Sequence, residues 1–441
     1  MKKTIALLVL FAMCFSLFSC TAFVEKQLEN NVLAFAGEKQ ETSYEDFRDE
    51  SYLAFLEKIQ KFSSRLTEKT AMEYGDEGNI AISPISIYMA LSLACECAEG
   101  ETRKEILDAV GVTYEEVNEY AGKLYAYANK EYLQRGVLGD NNVVAFQNLS
   151  NSIWLADEIS FIDDGVNKLS KEYNCDVFRV SYITGEAQYL INKYIELKTN
   201  GLIKGNVDLS PETYFVLMNT YYLKEVWNVY GKNLSFTSNK YTFKNGDGTS
   251  KKINLLEGYY NDGKVYNAED YSCFFTSTEH GFKLYFFLPN EGVNVSSILT
   301  AENIDAALTE KKWEHVDDEN LQLHYTRVLF PEFKAEFDKD ISNILKNEFS
   351  INDLFDPYSC SMSNISSDSL YCEGVFHKVS LTVDKTGIEG AAVTYLPVAG
   401  SAGPPPYEKV YHDFIVDGAF GFVLCDQYGT IVFSGVINTI K

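Results

Sequence analysis

Residues 79–87 read Asn-Ile-Ala-Ile-Ser-Pro-Ile-Ser-Ile, and they are the most informative segment for the fold. Ser83 followed by Pro84 marks the start of a helix, because serine caps a first turn and proline fits its first position. Upstream, apolar residues recur at helical spacing between Leu53 and Leu66 and predict an earlier amphipathic helix. The sequence therefore predicts two helices in succession, the first of them packed on a core.

The rest of the chain mixes strands and helices without the regular βαβ rhythm of a parallel-sheet protein. After about residue 210, β-rich stretches alternate with helical ones such as residues 341–348. No linker rich in proline, glycine or serine appears before residues 399–406, so we expect one large α+β domain over residues 44–441. The β-rich stretches are residues 215–223, 282–288 and 420–433.

Composition and charge exclude several classes of function. The 441 residues are 46% hydrophobic and 23% charged, as in an ordinary globular protein. With 38 basic and 63 acidic residues the formal charge is −25, which repels polyanions. We therefore expect no binding of nucleic acid and no heparin-like cofactor.

The local motifs of catalysis are missing from the sequence. It has no Gly-x-Ser-x-Gly, no His-Glu-x-x-His, no Gly-x-x-x-x-Gly-Lys and no Gly-x-Gly-x-x-Gly after a strand. Its five histidines are not spaced as a local metal clip. A Ser-His-Asp triad assembled from distant segments stays open, because triads are recognised in space. We expect a protein that is not an enzyme and that needs no metal or cofactor.

The N-terminus has the features of an export signal. Lys2 and Lys3 precede an apolar run of about 13 residues, which is shorter than a membrane span. The junction Ser19-Cys20 resembles a bacterial lipobox, in which the cysteine receives a lipid; ordinary secretion with cleavage nearby is the alternative. We expect a lipoprotein-type signal peptide over residues 1–19, a membrane anchor on Cys20, a polar tether over residues 20–43, and a location in the cell envelope, at the cell surface or outside the cell.

An ordered series of motifs resembles those of one family, the serpins, which are serine protease inhibitors. Residues 79–87, followed by Gly100-Glu101-Thr102, resemble the helix B signature of that family. Across residues 48–440 the further matches are Asn-Ser-Ile-Trp at 151–154, Ile-Asn-Lys-Tyr at 191–194, Thr-Asn-Gly at 199–201, Met-Asn-Thr-Tyr-Tyr-Leu-Lys at 218–224, Trp227, Phe-Leu-Pro at 287–289, Phe-Pro-Glu-Phe-Lys at 330–334 and Val-Phe-His-Lys at 375–378. The resemblance implies three β-sheets, about nine helices and an exposed reactive loop over about residues 385–408. It also implies a metastable fold, because that loop can enter the largest sheet and release stored strain.

The resemblance assigns a cluster of residues to the place where the largest sheet opens. Polar groups beneath the parting strands can exchange hydrogen bonds, so that neither state leaves a buried donor unpaired. From the residues alone, the histidine of this cluster could equally be an ordinary core histidine, and the tryptophan a core aromatic. The cluster comprises Ser83, Ser86, Asn219 and His377 at the centre and Trp227 at the top.

The loop begins with a hinge whose residues alternate in a way that suits a buried strand. Successive residues of a strand face opposite sides, and counting from Gly387 makes Ile388, Gly390, Ala392, Thr394, Leu396 and Val398 the inward set. All six are uncharged, whereas Glu389 falls on the outward side with Ala391. Burying an unpaired carboxylate would cost several kcal/mol, so this arrangement favours insertion. Lys385, Thr386, Ile388 and Pro397 depart from the pattern of inhibitory serpins.

Counting from the hinge by the span usual in the family places the reactive bond at Ser401-Ala402. Gly400 is a neighbouring alternative, and Tyr407 is another that would suit a chymotrypsin-like protease. Small residues around Ser401 favour a protease with a shallow pocket, such as an elastase-like or subtilisin-like serine protease. A papain-like cysteine protease is a further alternative.

The resemblance therefore implies a covalent suicide-substrate inhibitor of endopeptidases. We expect a monomer whose partner is the target protease, bound as an acyl complex. Two alternatives stay open from the sequence: a serpin fold used as a binding module without trapping, and an unrecognised hydrolase.

Overall fold

The computed structural model describes residues 22–37, 46–135, 141–205, 207–227, 234–260, 265–309, 323–388 and 409–440. Ten α-helices lie within these residues, joined by short 3-10 turns at Asp46–Arg48, Gly75–Glu77 and Asp353–Phe355. The helices are α1 (22–31), α2 (Glu50–Tyr74), α3 (Pro84–Cys97), α4 (Gly100–Val110), α5 (Tyr114–Tyr127), α6 (Asp163–Glu172), α7 (Glu186–Lys198), α8 (Val295–Ile298), α9 (Ala301–Leu308) and α10 (Ser342–Phe349).

Strands form three main sheets and one two-stranded pair, which confirms the predicted α+β fold with three β-sheets. The strands are β1 (Val32–Ala34), β2 (Ile80–Ile82), β3 (Glu131–Arg135), β4 (Asn141–Ala156), β5 (Cys175–Val180), β6 (Phe215–Val226), β7 (Ser235–Phe236), β8 (Tyr241–Lys244), β9 (Ser250–Ile253), β10 (Leu256–Tyr260), β11 (Tyr266–Asn267), β12 (Tyr271–Ser277), β13 (Lys283–Pro289), β14 (Leu323–Phe330), β15 (Phe333–Asp340), β16 (Phe376–Val383), β17 (Gly387–Ile388), β18 (Lys409–Ile415), β19 (Phe420–Cys425) and β20 (Ile431–Ile437).

The main sheet has the strand order β1-β5-β4-β6-β17-β16-β15, with β3 beside β4. The second sheet runs β11-β12-β13-β19-β20-β2, the third runs β18-β14-β10-β7, and β8 pairs with β9. The two-residue strand β17 is therefore an interior member of the main sheet, between β6 and β16.

Helix α3 is the buried centre of the fold. It begins at Ser83 and Pro84 as the sequence predicts, with Ser83 in an extended conformation and proline in the first turn. A helix that is apolar on all sides must be enclosed, and α3 packs against β6 of the main sheet, β20 of the second sheet and helix α2. Its first turn consequently lies beneath the middle of the main sheet.

Helix α2 is the amphipathic helix predicted between Leu53 and Leu66. Asp49 caps its start by accepting a hydrogen bond from the Ser51 backbone N–H at 2.9 Å. Its buried face includes Phe55, Ile59 and Leu66, which pack into the shared core. The exposed side chain of Leu53 lies outside this buried face.

The segment that the sequence predicted as part of a polar tether is instead structured over residues 22–37. Val24 and Leu28, four residues apart on α1, are both buried. β1 then adds an antiparallel edge strand to β5, and the Gly37 backbone N–H donates to the Ser170 carbonyl at 2.8 Å. An open strand edge offers unpaired backbone groups, and this segment satisfies them.

In the described residues, no helix combines the length and the apolar character needed to cross a membrane.

Candidate functional site

The hinge residues Gly387 and Ile388 form strand β17 in the interior of the main sheet. Gly387 lies opposite Val226 and Ile388 opposite Glu225 on β6, while Ile388 also pairs with Val383 on β16. Ile388 is 1% exposed and faces the core, on the parity that the sequence predicts to be inward. The start of the hinge thus occupies the position between β6 and β16.

Gly387 is required by the close approach of two backbones. A Cβ atom at this position would lie 1.8 Å from the carbonyl oxygen of Glu225, far inside contact distance. The obstacle is backbone rather than the end of a flexible side chain, so a larger residue would displace the hinge from β6.

A tight turn leads from β16 into the hinge. Asp384 Oδ1 accepts hydrogen bonds from the backbone N–H groups of Thr386 at 2.7 Å and Gly387 at 3.2 Å. The Asp384 N–H donates to the Gly387 carbonyl at 3.0 Å, and the Lys385 N–H donates to Glu332 Oε1 at 3.0 Å. Lys385 and Thr386, which depart from the family pattern, therefore occupy the turn and not the paired strand. An aspartate three residues before glycine is a recognisable turn signal.

Trp227 holds this turn at the top of the main sheet. Its indole N–H donates to the Asp384 carbonyl at 2.7 Å, and its ring lies edge-on to Phe330 with centroids 5.7 Å apart. The side chain is buried at the end of β6. Trp227 consequently joins the third sheet, through Phe330, to the point where the hinge enters.

His377 lies on the inner face of β16 above the start of α3. The Ser83 backbone N–H donates to His377 Nε2 at 2.9 Å. Burial lowers the pKa of His377 from its usual 6.5 to about 3, because the charged ring would be desolvated. The ring is therefore neutral near pH 7, with Nε2 as an acceptor and its proton on Nδ1.

Asn219 lies on the inner face of β6 and belongs to a separate chain of hydrogen bonds. Ser86 Oγ donates to Asn219 Oδ1. Asn219 Nδ2 donates to Asn151 Oδ1 at 2.6 Å, and Asn151 Nδ2 donates to the Tyr173 carbonyl at 2.9 Å. The amide of Asn219 is thus tied to α3 on one side and to β4 on the other.

The cluster is accordingly divided into two halves that meet at α3 and not at each other. Ser83 holds His377 on the β16 side, and Ser86 holds Asn219 on the β6 side. Among the described residues no hydrogen bond joins Asn219 to His377, and β6 and β16 are joined only through β17. The first turn of α3 therefore bridges the two strands that insertion would separate.

Unpartnered polar atoms line this division. At the start of α3 and along β6 and β16, buried side-chain oxygens of four residues have no hydrogen-bond partner within the described part of the chain. A buried polar atom without a partner costs about 1–3 kcal/mol, so a new partner at any of these positions would be stabilising. The four are Ser83 Oγ, Thr220 Oγ1, Glu225 Oε1 and Ser380 Oγ.

A cavity of about 190 Å³ opens at the lower part of the same division. Residues of β6 such as Leu217 and Asn219 line one side, and Phe376 and Lys378 of β16 line the other. The loop that follows α7 closes it with apolar side chains including Val207. The flanking strands are thus already apart at this level.

The remaining predicted site residues lie outside the described part of the chain. They are Cys20, the hinge residues Glu389, Gly390, Ala391 and Ala392, and the reactive-bond candidates Gly400, Ser401, Ala402 and Tyr407.

Three residues of the site were not singled out from the sequence. Asn151 stands first in the Asn-Ser-Ile-Trp motif, but only the fold shows that it reaches Asn219. Asp384 builds the hinge turn, and its spacing to Gly387 is the signal that could have found it. Glu225 is a buried carboxylate whose Oε2 lies 3.1 Å from His280 Nδ1, a pairing between distant segments.

The fold and the site define a class: an α+β protein whose largest sheet has a short hinge strand in its interior. The model of the family described as "Serpin (serine protease inhibitor)" matches residues 57–440. The chain therefore belongs to the serpin family, which is a family of protease inhibitors and not of enzymes.

Individual relatives are similar to this chain over most of its length. Iripin-1 from Ixodes ricinus is 26% identical over 380 residues, covering 82% of this chain and 90% of the relative. Human neuroserpin is 25% identical over 379 residues, covering 82% and 86%. The solved native structure of tengpin, a thermophilic serpin, superimposes with a TM-score of 0.69 over 94% of this chain and 98% of tengpin, at 21% identity.

Proposed function

We propose that the protein inhibits endopeptidases as a suicide substrate, by inserting its reactive loop into the main sheet. The observation that carries the proposal is β17, because the hinge already pairs between β6 and β16 with Ile388 facing the core. A loop that served only as an exposed tether would have no need of this position.

The register of β17 can be extended along β6. Gly387 opposite Val226 makes the residue numbers of each antiparallel pair sum to 613. On this register Val398 falls opposite Phe215, the first residue of the 12-residue strand β6. The reactive bond after Ser401 then lies three residues beyond the sheet, so β6 is long enough to receive the whole inward set.

The inserted residues match their neighbours in size on this register. Ala392 would lie between Tyr221 on β6 and Val379 on β16, since pairs with β16 sum to 771. Gly390 would similarly lie between two leucines, Leu223 and Leu381. Small residues beside large ones fill the sheet interior without overpacking.

Polar residues of the inserted loop would also lie beside polar residues of β6 and β16. Thr394, the only polar residue of the inward set, would lie between Asn219 and His377 and join the two halves of the cluster. On the outer face Glu389 would lie beside Lys224 of β6. Pro397 falls beyond Phe376, the first residue of β16, where its missing N–H affects one ladder at most.

In the proposed mechanism, the reactive loop is the substrate that the protease attacks, and insertion of the loop into the main sheet supplies the free energy. The protease nucleophile attacks the carbonyl of Ser401, the bond to Ala402 breaks, and an acyl-enzyme forms on the protease. The released loop then inserts and carries the protease along the main sheet before water can deacylate it. Catalytic chemistry comes from the protease, and this chain supplies the strand and the sheet.

The residues around the bond set the proposed target class. Val398, Ala399, Gly400, Ser401 and Ala402 are small, which favours elastase-like or subtilisin-like serine proteases. Papain-like cysteine proteases remain the alternative target class.

We further propose that the protein is exported from a bacterial cell and anchored through a lipid on Cys20. The basic start, the apolar run and the Ser19-Cys20 junction support this location. Labelling cells with a palmitate analogue tests it, with Cys20→Ala as the control; label that persists in the variant would refute the anchor.

The decisive experiment mixes the mature chain with elastase, subtilisin, trypsin, chymotrypsin and papain. Denaturing electrophoresis and mass spectrometry then look for an adduct at the summed mass, cleaved after Ser401. Cleavage of the loop without adduct throughout the panel would instead favour a serpin fold used as a binding module.

A further inference from the structure

The third sheet carries exposed aromatic side chains beside the strand that follows the reactive loop. Tyr259 on β10 and Tyr411 on β18 are 40% and 49% exposed. Their rings meet edge to face with centroids 5.6 Å apart, and the ring of Tyr325 on β14 lies 5.7 Å from that of Tyr411. We call the following set the tyrosine face: Tyr259, Tyr325, Tyr411, Glu257, Arg327 and Asp413.

Strand register places these side chains on one side of the sheet. Tyr325 lies opposite Tyr411 and Arg327 opposite Asp413 in the parallel pair of β14 with β18. Tyr259 lies opposite Arg327 in the antiparallel pair of β10 with β14. Directly opposed residues share a face, so the set forms one continuous surface over three strands.

Ionic contacts hold the tyrosine face in one arrangement. Arg327 binds Asp413 with two hydrogen bonds, one of them from Nε to Oδ1 at 2.7 Å, and its Nη1 lies 3.6 Å from Glu257. The Tyr259 hydroxyl donates to Glu257 Oε1 at 2.8 Å. Hydrogen bonding to Asp413 raises the pKa of Arg327, which keeps the guanidinium charged. A surface ordered in advance loses little side-chain entropy when a partner binds.

We propose that the tyrosine face is a second docking surface for the target protease, which contacts it through a positively charged surface outside its active site. This inference rests on the proposed function, because it takes the reactive loop as the first contact.

The length of the intervening chain supports this occupant. β18 begins at Lys409, eight residues after Ser401, so the reactive bond lies within about 27 Å of the strand. A protease of about 230 residues has a radius of gyration near 17 Å and a diameter of about 45 Å. A protease that holds Ser401 can therefore reach the end of β18, where Tyr411 is the third residue.

The composition and charge of the tyrosine face also support a protease with a basic surface as its partner. Tyrosine and arginine dominate the residues that carry binding energy at protein interfaces. One guanidinium against two carboxylates, 1 − 2, leaves the face with a charge of −1, within a chain of charge −25. Complementary potentials speed association, so a basic protease surface is the partner that this face fits.

The test compares a double variant, Tyr259→Ala with Tyr411→Ala, with the unaltered chain. The readouts are the second-order rate constant of adduct formation and the number of inhibitor molecules consumed per adduct. We expect the rate constant to fall about tenfold, as the loss of interface tyrosines predicts, with the consumption ratio unchanged. Tyr358→Ala is the matched control, because Tyr358 is 97% exposed and is not part of the third sheet.

A rate constant within twofold of the unaltered chain, or an equal fall in the Tyr358→Ala control, would overturn the proposal. The same variants are also tested for binding to a protease whose nucleophile has been replaced by alanine. If no protease forms an adduct, the proposed function fails, whereas a tenfold weaker complex with the inactive protease still supports the docking surface. Equal binding by all variants would overturn it.

Discussion

At the scale of single residues, Gly387 occupies a position where the backbone leaves no room for a side chain. The missing side chain lets its backbone approach the Glu225 carbonyl, and an added Cβ would lie 1.8 Å from that oxygen. Gly387→Ala should therefore displace β17 and lower stability by about 1–3 kcal/mol. The midpoint of the first urea transition measures this change, and more loop cleavage per adduct should accompany it. Gly418→Ala is the control, because its nearest atom is 3.7 Å away; equal midpoints for both variants would contradict the argument.

His377 predicts a dependence on pH whose sign follows from its burial. Its folded pKa is about 3, below the unfolded value of 6.5, so its contribution is complete above pH 6.5 and is lost as pH falls. The slope is about 1.4 kcal/mol per pH unit for one proton. Asp426 acts in the opposite direction, because burial raises its pKa to about 6.

The comparison that isolates His377 is therefore with His377→Gln, whose side chain can still accept from the Ser83 N–H. Urea titrations between pH 7 and pH 4.5 should show that the unaltered chain loses stability relative to the variant as pH falls. Asp426 is common to both proteins and cancels. Parallel curves for the two proteins would mean that His377 is not the group responsible.

At the scale of elements, the alternation of the hinge supplies a matched pair of variants. On the register of β17, Ala392 would face Tyr221 and Val379 inside the sheet, whereas Ala391 would face outward. Ala392→Glu should prevent insertion, because a buried unpaired carboxylate costs several kcal/mol, and cleavage should then yield no adduct. Ala391→Glu should lower the adduct yield less, because Ala391 would lie on the opposite face of the sheet, beside Tyr222 and Ser380. Equal adduct yields from the two variants in electrophoresis would reject the proposed register.

Local sequence signals predicted some elements well and others not at all. Ser83-Pro84 predicted the start of α3, because capping and proline geometry are local effects. Residues 22–37 were expected within a tether, since one buried pair, Val24 and Leu28, gives too short a pattern to indicate a helix. The pairing of β1 with β5 depends on an edge that only the folded sheet provides.

The same distinction applies to the site. The resemblance brought together Ser83 and His377, and the structure joins them by a hydrogen bond. It gave no sign that Asn219 and His377 would be held by separate partners, because that depends on how far β6 and β16 stand apart. The contact between Glu225 and His280 joins residues far apart in sequence and has no local signal either.

At the scale of the whole molecule, the main sheet gains an extra strand at one edge and has its shortest strand in its interior. β1 covers the edge of β5, while β17 supplies only two residues between the 12-residue strand β6 and the eight-residue strand β16. The buried oxygens of Ser83, Thr220 and Ser380 have no partners in the described residues along this division. A longer strand at this position would add backbone hydrogen bonds on both sides, so insertion of the loop can stabilise the fold.

Cleavage of the loop should consequently make the protein more stable. Insertion of the segment after Ile388 would add on the order of ten backbone hydrogen bonds, worth roughly 1 kcal/mol each. For a domain of this size that corresponds to a rise in Tm of about 10–20 °C. Calorimetry before and after cleavage near Ser401 measures the rise. The Ala392→Glu variant is the control and should show none, because its loop cannot enter the sheet. If the unaltered chain melted at the same temperature before and after cleavage, the main sheet would not be the store of energy that the inhibitory mechanism requires.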